Sequence, residues 1–180
     1  MEPSNSELSK LRDFIQSGKN EEAEKLAANI TEQFPKHAFA WKVLGSLFTQ
    51  KDRLSEALDA KQKTVDLDPG DEDSHYNLGN LLLTLGRAAE AEISYKKVIA
   101  INSDYTNAYI NLAIALKQLG RFDEAETRYR QAIILRPDHV EAHINLSGIL
   151  QEMGRLDEAQ VILEQAIALR PDNAQAHRHF

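Results

Sequence analysis

A period of 34 residues runs through this chain and leaves little room for any fold other than a stack of like units. Thr106–His139 reads TNAYINLAIALKQLGRFDEAETRYRQAIILRPDH, two amphipathic helical patterns joined at Gly120 and stopped at Pro137. Val140–Asn173 repeats it with 17 identical positions. Ala23, Ala57, Ala91, Ala125 and Ala159 keep the same register from end to end. Self-similarity at a fixed period in this range is the signature of a repeat architecture, in which neighbouring units bury one continuous core.

The period divides the chain into copies at about 4–37, 38–71, 72–105, 106–139 and 140–173, with a partial sixth at 174–180. Residues 1–180 thus form a single solenoid domain. Met1–Ser6 is polar and reads as a frayed lead-in. The first copy is the most divergent, with Leu11 where later copies carry a small residue, as expected of a capping end repeat. The second carries Asp52 in place of the turn glycine, and the third carries Ser103 in place of proline. The chain stops at Phe180, less than two turns into the sixth copy.

Each copy is punctuated for physical reasons. Gly18, Gly86, Gly120 and Gly154 stand where a helix ends in a left-handed residue. Pro35, Pro69, Pro137 and Pro171 cannot continue a helix interior, so they separate one pair from the next. Asp138 with Glu141, and Asp172 with Gln175, have the spacing of capping boxes. Gly45, Gly79, Ala113 and Ser147, with the 34-spaced alanines, are small enough for two helices of a hairpin to approach closely.

Composition narrows the function. Apolar residues at 42% and charged residues at 27% suit a folded chain. The net charge of −7 disfavours nucleic acid, because phosphate binding needs a basic face. Cysteine is absent, which removes disulfides, thiolate metal sites and thiol catalysis. No run approaches the roughly 18–20 apolar residues of a membrane span, and MEPSNSELSK lacks the order of a signal peptide. A cytoplasmic location and no membrane partner are the expectations.

The pattern resembles the tetratricopeptide repeat. The fourth copy supplies its signature as Tyr109, Leu112, Ala113, Leu116, Gly120, Ala125, Tyr129, Ala132 and Pro137, and the resemblance covers about residues 4–180. It implies an all-α, right-handed α-solenoid of antiparallel helix pairs. First helices would line a concave groove that holds a peptide or a partner protein. Nothing in the residues resembles a nucleophile with its base, and Gly79 and Gly86 lack the context of a phosphate loop, so no catalysis and no cofactor are expected. One fold of this kind serves many partners, so the resemblance specifies fold more sharply than function.

With first helices on the groove, the register places Lys42, Val43, Ser46 and Gln50 there. Tyr76, Asn77, Asn80 and Thr84 follow from the third copy, then Ile110, Asn111, Ile114 and Lys117. The fifth copy gives Ile144, Asn145, Gly148 and Gln151. Asn77, Asn111 and Asn145 recur at the period and form a ladder. An asparagine amide can pair with both a peptide N–H and a C=O without reading side chains. This is similar to the asparagine ladder in the repeat arm of O-GlcNAc transferases, with Val43 and His179 interrupting it at either end. The alternative is that these amides are solvated or pair between helices. The carboxylate clamp of chaperone-binding repeats is a poorer match. Its five positions read Lys42, Ser46, Asn77, Asn107 and Asn111, or Tyr76, Asn80, Asn111, Glu141 and Asn145, one copy later.

Other signals read as structure. His75, His143 and His177 share the register position of Trp41 and Tyr109 and are expected to pack between helices. His139 and His143 have zinc-ligand spacing, but Pro137 and Asp138 put His139 at a helix start and no third ligand is evident. Asp123, Glu124, Asp157 and Glu158 open second helices and complement the helix dipole. Phe14, Trp41, Phe48, Tyr95 and Tyr129 are core candidates. The sequence therefore predicts a non-catalytic peptide-binding scaffold. The alternatives are the substrate-recognition arm of a larger glycosyltransferase and a scaffold that self-associates through an uncapped C-terminal end.

Overall fold

A computed structural model describes residues 2–170. Pro171, the Asp172–Gln175 spacing, His177, His179 and the partial sixth copy lie outside the described residues. Among those described there are ten α-helices and no strand. They are α1 (Asn5–Gln16), α2 (Asn20–Gln33), α3 (Ala38–Gln50), α4 (Leu54–Leu67) and α5 (Glu72–Thr84), then α6 (Ala88–Ile101), α7 (Thr106–Gln118), α8 (Phe122–Leu135), α9 (Val140–Glu152) and α10 (Leu156–Leu169). The expected all-α repeat fold is what forms, two helices to each copy. The chain divides into two compact units, Met1–Leu82 and Leu83–Phe180.

The turn inside each copy follows from one residue in a left-handed conformation. Gly120 has φ 73°, and the Arg121 N–H closes the helix end by donating to the Leu116 carbonyl at 2.9 Å. Asp52 takes the same conformation at φ 57°, and Arg53 donates to Phe48 at 2.9 Å in the same way. The turn is therefore set by the register, and aspartate adopts it against its steric preference.

The N-terminus departs from the frayed lead-in expected of Met1–Ser6. Ser4 caps α1 in a full capping box, its Oγ accepting from the Glu7 N–H at 3.2 Å while the Ser4 N–H donates to Glu7 Oε2 at 2.9 Å. The capping box expected at Asp138 and Glu141 does not form. His139 is the N-cap of α9, so Asp138 lies one residue too early, and no side chain caps that helix.

In the first unit Leu11, Ala23, Ala27, Ile30, Leu44 and Leu47 are buried together, with Phe14, Trp41 and Phe48 packed against them. In the second, Val140, Ile144, Leu163 and Ala166 form a cluster on α9 and α10. The small residues act as expected. An ideal Cβ on Gly45 would lie 2.9 Å from Lys61 Cγ and 3.6 Å from Ala60 Cβ, so α3 and α4 touch where a side chain is missing. Ala113 and Ser147 are fully buried. The position shared by Trp41 and His75 ties the second and third copies to the proline before each. Trp41 Nε1 donates to the Pro35 carbonyl at 2.9 Å, and His75 Nε2 lies 3.2 Å from that of Pro69. His143 turns instead to the His139 carbonyl, 3.2 Å from its Nδ1.

A second periodic series joins second helices within each unit. Arg53, Arg121 and Arg155 are the N-caps of α4, α8 and α10, an end where the helix dipole repels a cation. Each is held by a glutamate three residues on and by another 29 residues back. Arg121 reaches Glu124 and Glu92, both at 2.6 Å. Arg155 reaches Glu158 at 2.7 Å and Glu126 at 2.5 Å. Arg53 pairs likewise with Glu56 and Glu24. Burial pushes the Glu92 carboxyl up, but Lys96 and Arg121 outweigh it and hold the group below the ordinary glutamate range. Glu126 is held down by Arg155 and Arg130 in the same way. Glu124 and Glu158, read from the sequence as dipole complements, are thus also the partners of these arginines.

Candidate functional site

Within the second unit, a cleft of about 420 Å3 opens between α7 and α9, with α8 beneath it. Ile114, Lys117 and Gln118 line it from α7, Ile144, Asn145 and Gly148 from α9, and Tyr129 from α8. Five of these were expected on the groove; Gln118 and Tyr129 were not. Tyr129 is 1% exposed, and burial, followed by the charges of Glu141 and Glu152, holds its hydroxyl above the ordinary tyrosine range. Lys117 leans on Glu152 at 2.6 Å, which leaves the cleft with neutralised charge at its rim. The amide of Asn145 has no hydrogen-bond partner among the described residues. An extended backbone could therefore meet apolar walls and one uncommitted donor–acceptor group here.

The other expected groove residues divide by environment. Asn111 is half-buried on α7, outside the lining of this cleft, and already holds an interaction of its own, as do Tyr76, Asn80, Thr84 and Gln151. Val43 and Ile110, also expected on the groove, are buried, being only 7% and 3% exposed. Ile110 shares its register position with Lys42. The apolar chain collapses onto its neighbours, whereas the lysine stays at the surface and reaches Asp71 at 2.5 Å. Ile144 is buried to 4% exposure and presents only an edge to the cleft.

In the first unit, Lys42, Ser46, Ser74 and Asn77 meet Lys61 and Thr64 around a polar crevice. Asn77, like Asn145, has no hydrogen-bond partner among the described residues. Lys61 went unnoticed in the sequence, although it stands out there as the charged member of a register position otherwise filled by alanine, tyrosine and leucine. A further polar cleft of about 450 Å3 is lined by Arg136, Asp138, His139, Val140, Glu141, Ile144 and Arg170. No group of three potential metal ligands occurs among the described residues, and no described helix is long and apolar enough to cross a membrane.

Four profiles described as tetratricopeptide repeat match the sequence, over residues 8–72, 72–105, 94–127 and 120–178. The chain belongs to the tetratricopeptide repeat family. Among solved structures it is similar to YrrB, described as a tetratricopeptide repeat protein with an unusual peptide-binding site. That match has a TM-score of 0.90 and 21% identity, over 98% of this chain and 91% of the other. It is also similar to MamA, with a TM-score of 0.85 and 20% identity over 94% and 92%. A MamA fragment from Desulfovibrio magneticus RS-1 gives 0.85 and 16% over 93% and 95%. No curated protein sequence matches the chain.

Proposed function

We propose that this protein is a non-catalytic interaction scaffold whose first-helix faces hold an extended peptide segment of a partner protein. The observation that carries this reading is the cleft between α7 and α9. It combines the apolar walls of Ile114 and Ile144 with the uncommitted amide of Asn145 and the small Gly148, which lets a chain approach closely. Asn77 repeats that amide in the first unit. Such amides grip a backbone whatever its side chains, so binding is expected to tolerate sequence changes in the peptide. The likeness to YrrB, a protein with a peptide-binding site, supports the same reading.

The test is fluorescence anisotropy with the tightest binder from an array of uncharged octapeptides. Asn145→Ala should weaken it about fivefold to tenfold, the equivalent of about 1 kcal/mol for a lost hydrogen-bonding amide, with helicity unchanged. Asn107→Ala, on an exposed position of α7 outside the cleft, should leave affinity alone. Equal affinities for wild type and Asn145→Ala would remove the backbone-gripping reading.

A further inference from the structure

Lys61 breaks the rule of its register. Ala27, Tyr95, Tyr129 and Leu163 occupy the same place in the other copies, uncharged and no more than 2% exposed. Lys61 is itself 9% exposed. A lysine buried so deeply ordinarily carries a carboxylate partner. None of the described residues offers Lys61 an ion pair or a hydrogen bond. Asp71, which meets the lining residues Lys42 and Ser74 of this crevice, is already engaged by Lys42 Nζ at 2.5 Å and by Ser74 Oγ at 2.6 Å. Lys42 and Lys61 against Asp71 leave one uncompensated positive charge in a chain of net charge −7.

The fold makes room for this lysine. Its stem runs over Gly45 of α3, where a Cβ would come within 2.9 Å of Lys61 Cγ. Beyond the stem lies the crevice lined by Lys42, Ser46, Thr64, Ser74 and Asn77. The hydroxyls of Ser46 and Thr64 donate to backbone carbonyls of their own helices, at 3.1 and 2.9 Å, which leaves Asn77 as the free neutral donor. The free space is about 10 Å3, room for one water-sized group. One carboxylate oxygen fits there; the three oxygens of a phosphoryl group do not. Burial also holds the Lys61 ammonium below the ordinary lysine range.

We infer that Lys61, with Asn77, receives a carboxylate of the bound segment, so the first unit selects peptides carrying an acidic side chain or a free chain end. This rests on the peptide-binding reading above. The probes are the uncharged octapeptide amide from the array, the same amide with one aspartate at each position in turn, and its free-acid form. One aspartate position, or the free acid, should bind wild type about tenfold more tightly than the uncharged amide, and the arm that gains identifies the source of the carboxylate. Lys61→Met should lose that gain and still bind the uncharged amide, while Lys61→Arg should keep part of it. Lys61→Met should also melt at a higher temperature, because a thioether is buried without the desolvation cost of an amine. No gain from any carboxylate, or a gain that survives Lys61→Met, overturns the inference and leaves the peptide-binding reading standing. Failure of every peptide to bind overturns both.

Discussion

Asp52 shows how strongly one residue can be overruled by the register around it. It holds φ 57° in a turn where four other copies use glycine. Asp52→Gly should raise stability by about 0.5 kcal/mol, and Gly120→Ala should lower it by about 1 kcal/mol, as measured by thermal melts. Gly45 is constrained for a different reason, since the space a methyl would need is filled by the Lys61 stem. Gly45→Ala should therefore destabilise wild type by about 1–2 kcal/mol through overpacking. In a Lys61→Ala background the cost should largely vanish, and additive losses in the double variant would show that the two residues do not compete for space. Ala125 is fully buried, so Ala125→Leu should cost about 1–3 kcal/mol. Lys61 was missed in the sequence because a charged side chain inside a helical pattern reads as a solvated face. Only the structure shows that Gly45 lets it lie inward.

Helices were legible where the period repeats itself. The described helices fall two to each copy, even where Asp52 and Ser103 replace the glycine and proline of other copies, because turn residues and apolar spacing act locally. Caps were less legible. The pairing Asp138–Glu141 has the right spacing, but α9 begins one residue later than that box requires, and the box that does form is at Ser4. The arginine series was visible in principle, since Arg53, Arg87, Arg121 and Arg155 keep the 34-residue period. What the spacing did not reveal is that a residue 29 positions back lies across two stacked helices. Glu92→Gln should lower the melting temperature by about 2–4 °C, the equivalent of about 1 kcal/mol after allowance for solvent screening. Combining it with Arg121→Met should cost less than the sum of the two changes, and a strictly additive result would mean the pair contributes nothing.

Across the whole molecule the same carboxylates set the response to acid. Glu24, Glu92 and Glu126 are held below their ordinary value of 4.5, and Asp71 below 3.8. A depressed native value means that the stabilisation is fully present above the unfolded value and is lost as pH falls through the native one. Melting temperatures should therefore hold from pH 7 to about 5 and fall steadily below 4.5. Glu92→Gln should flatten that fall while leaving the pH 3 melt nearly unchanged. A wild-type profile flat down to pH 3 would contradict this account of the ion pairs.

Which face the partner occupies is a different matter, because a repeat register assigns residues to helix faces without saying which face meets a partner. Ile114 and Ile144 line the cleft between α7 and α9, whereas Ile93 and Ile134, at 62% and 76% exposed, stand outside its lining on α6 and α8. Isoleucine methyl labelling reports on all four in one NMR titration with the array-selected octapeptide. Shifts at Ile114 and Ile144, with Ile93 and Ile134 unmoved, are the result expected of a peptide held on the first-helix face. Shifts confined to Ile93 and Ile134 would contradict it and place the partner on the second helices.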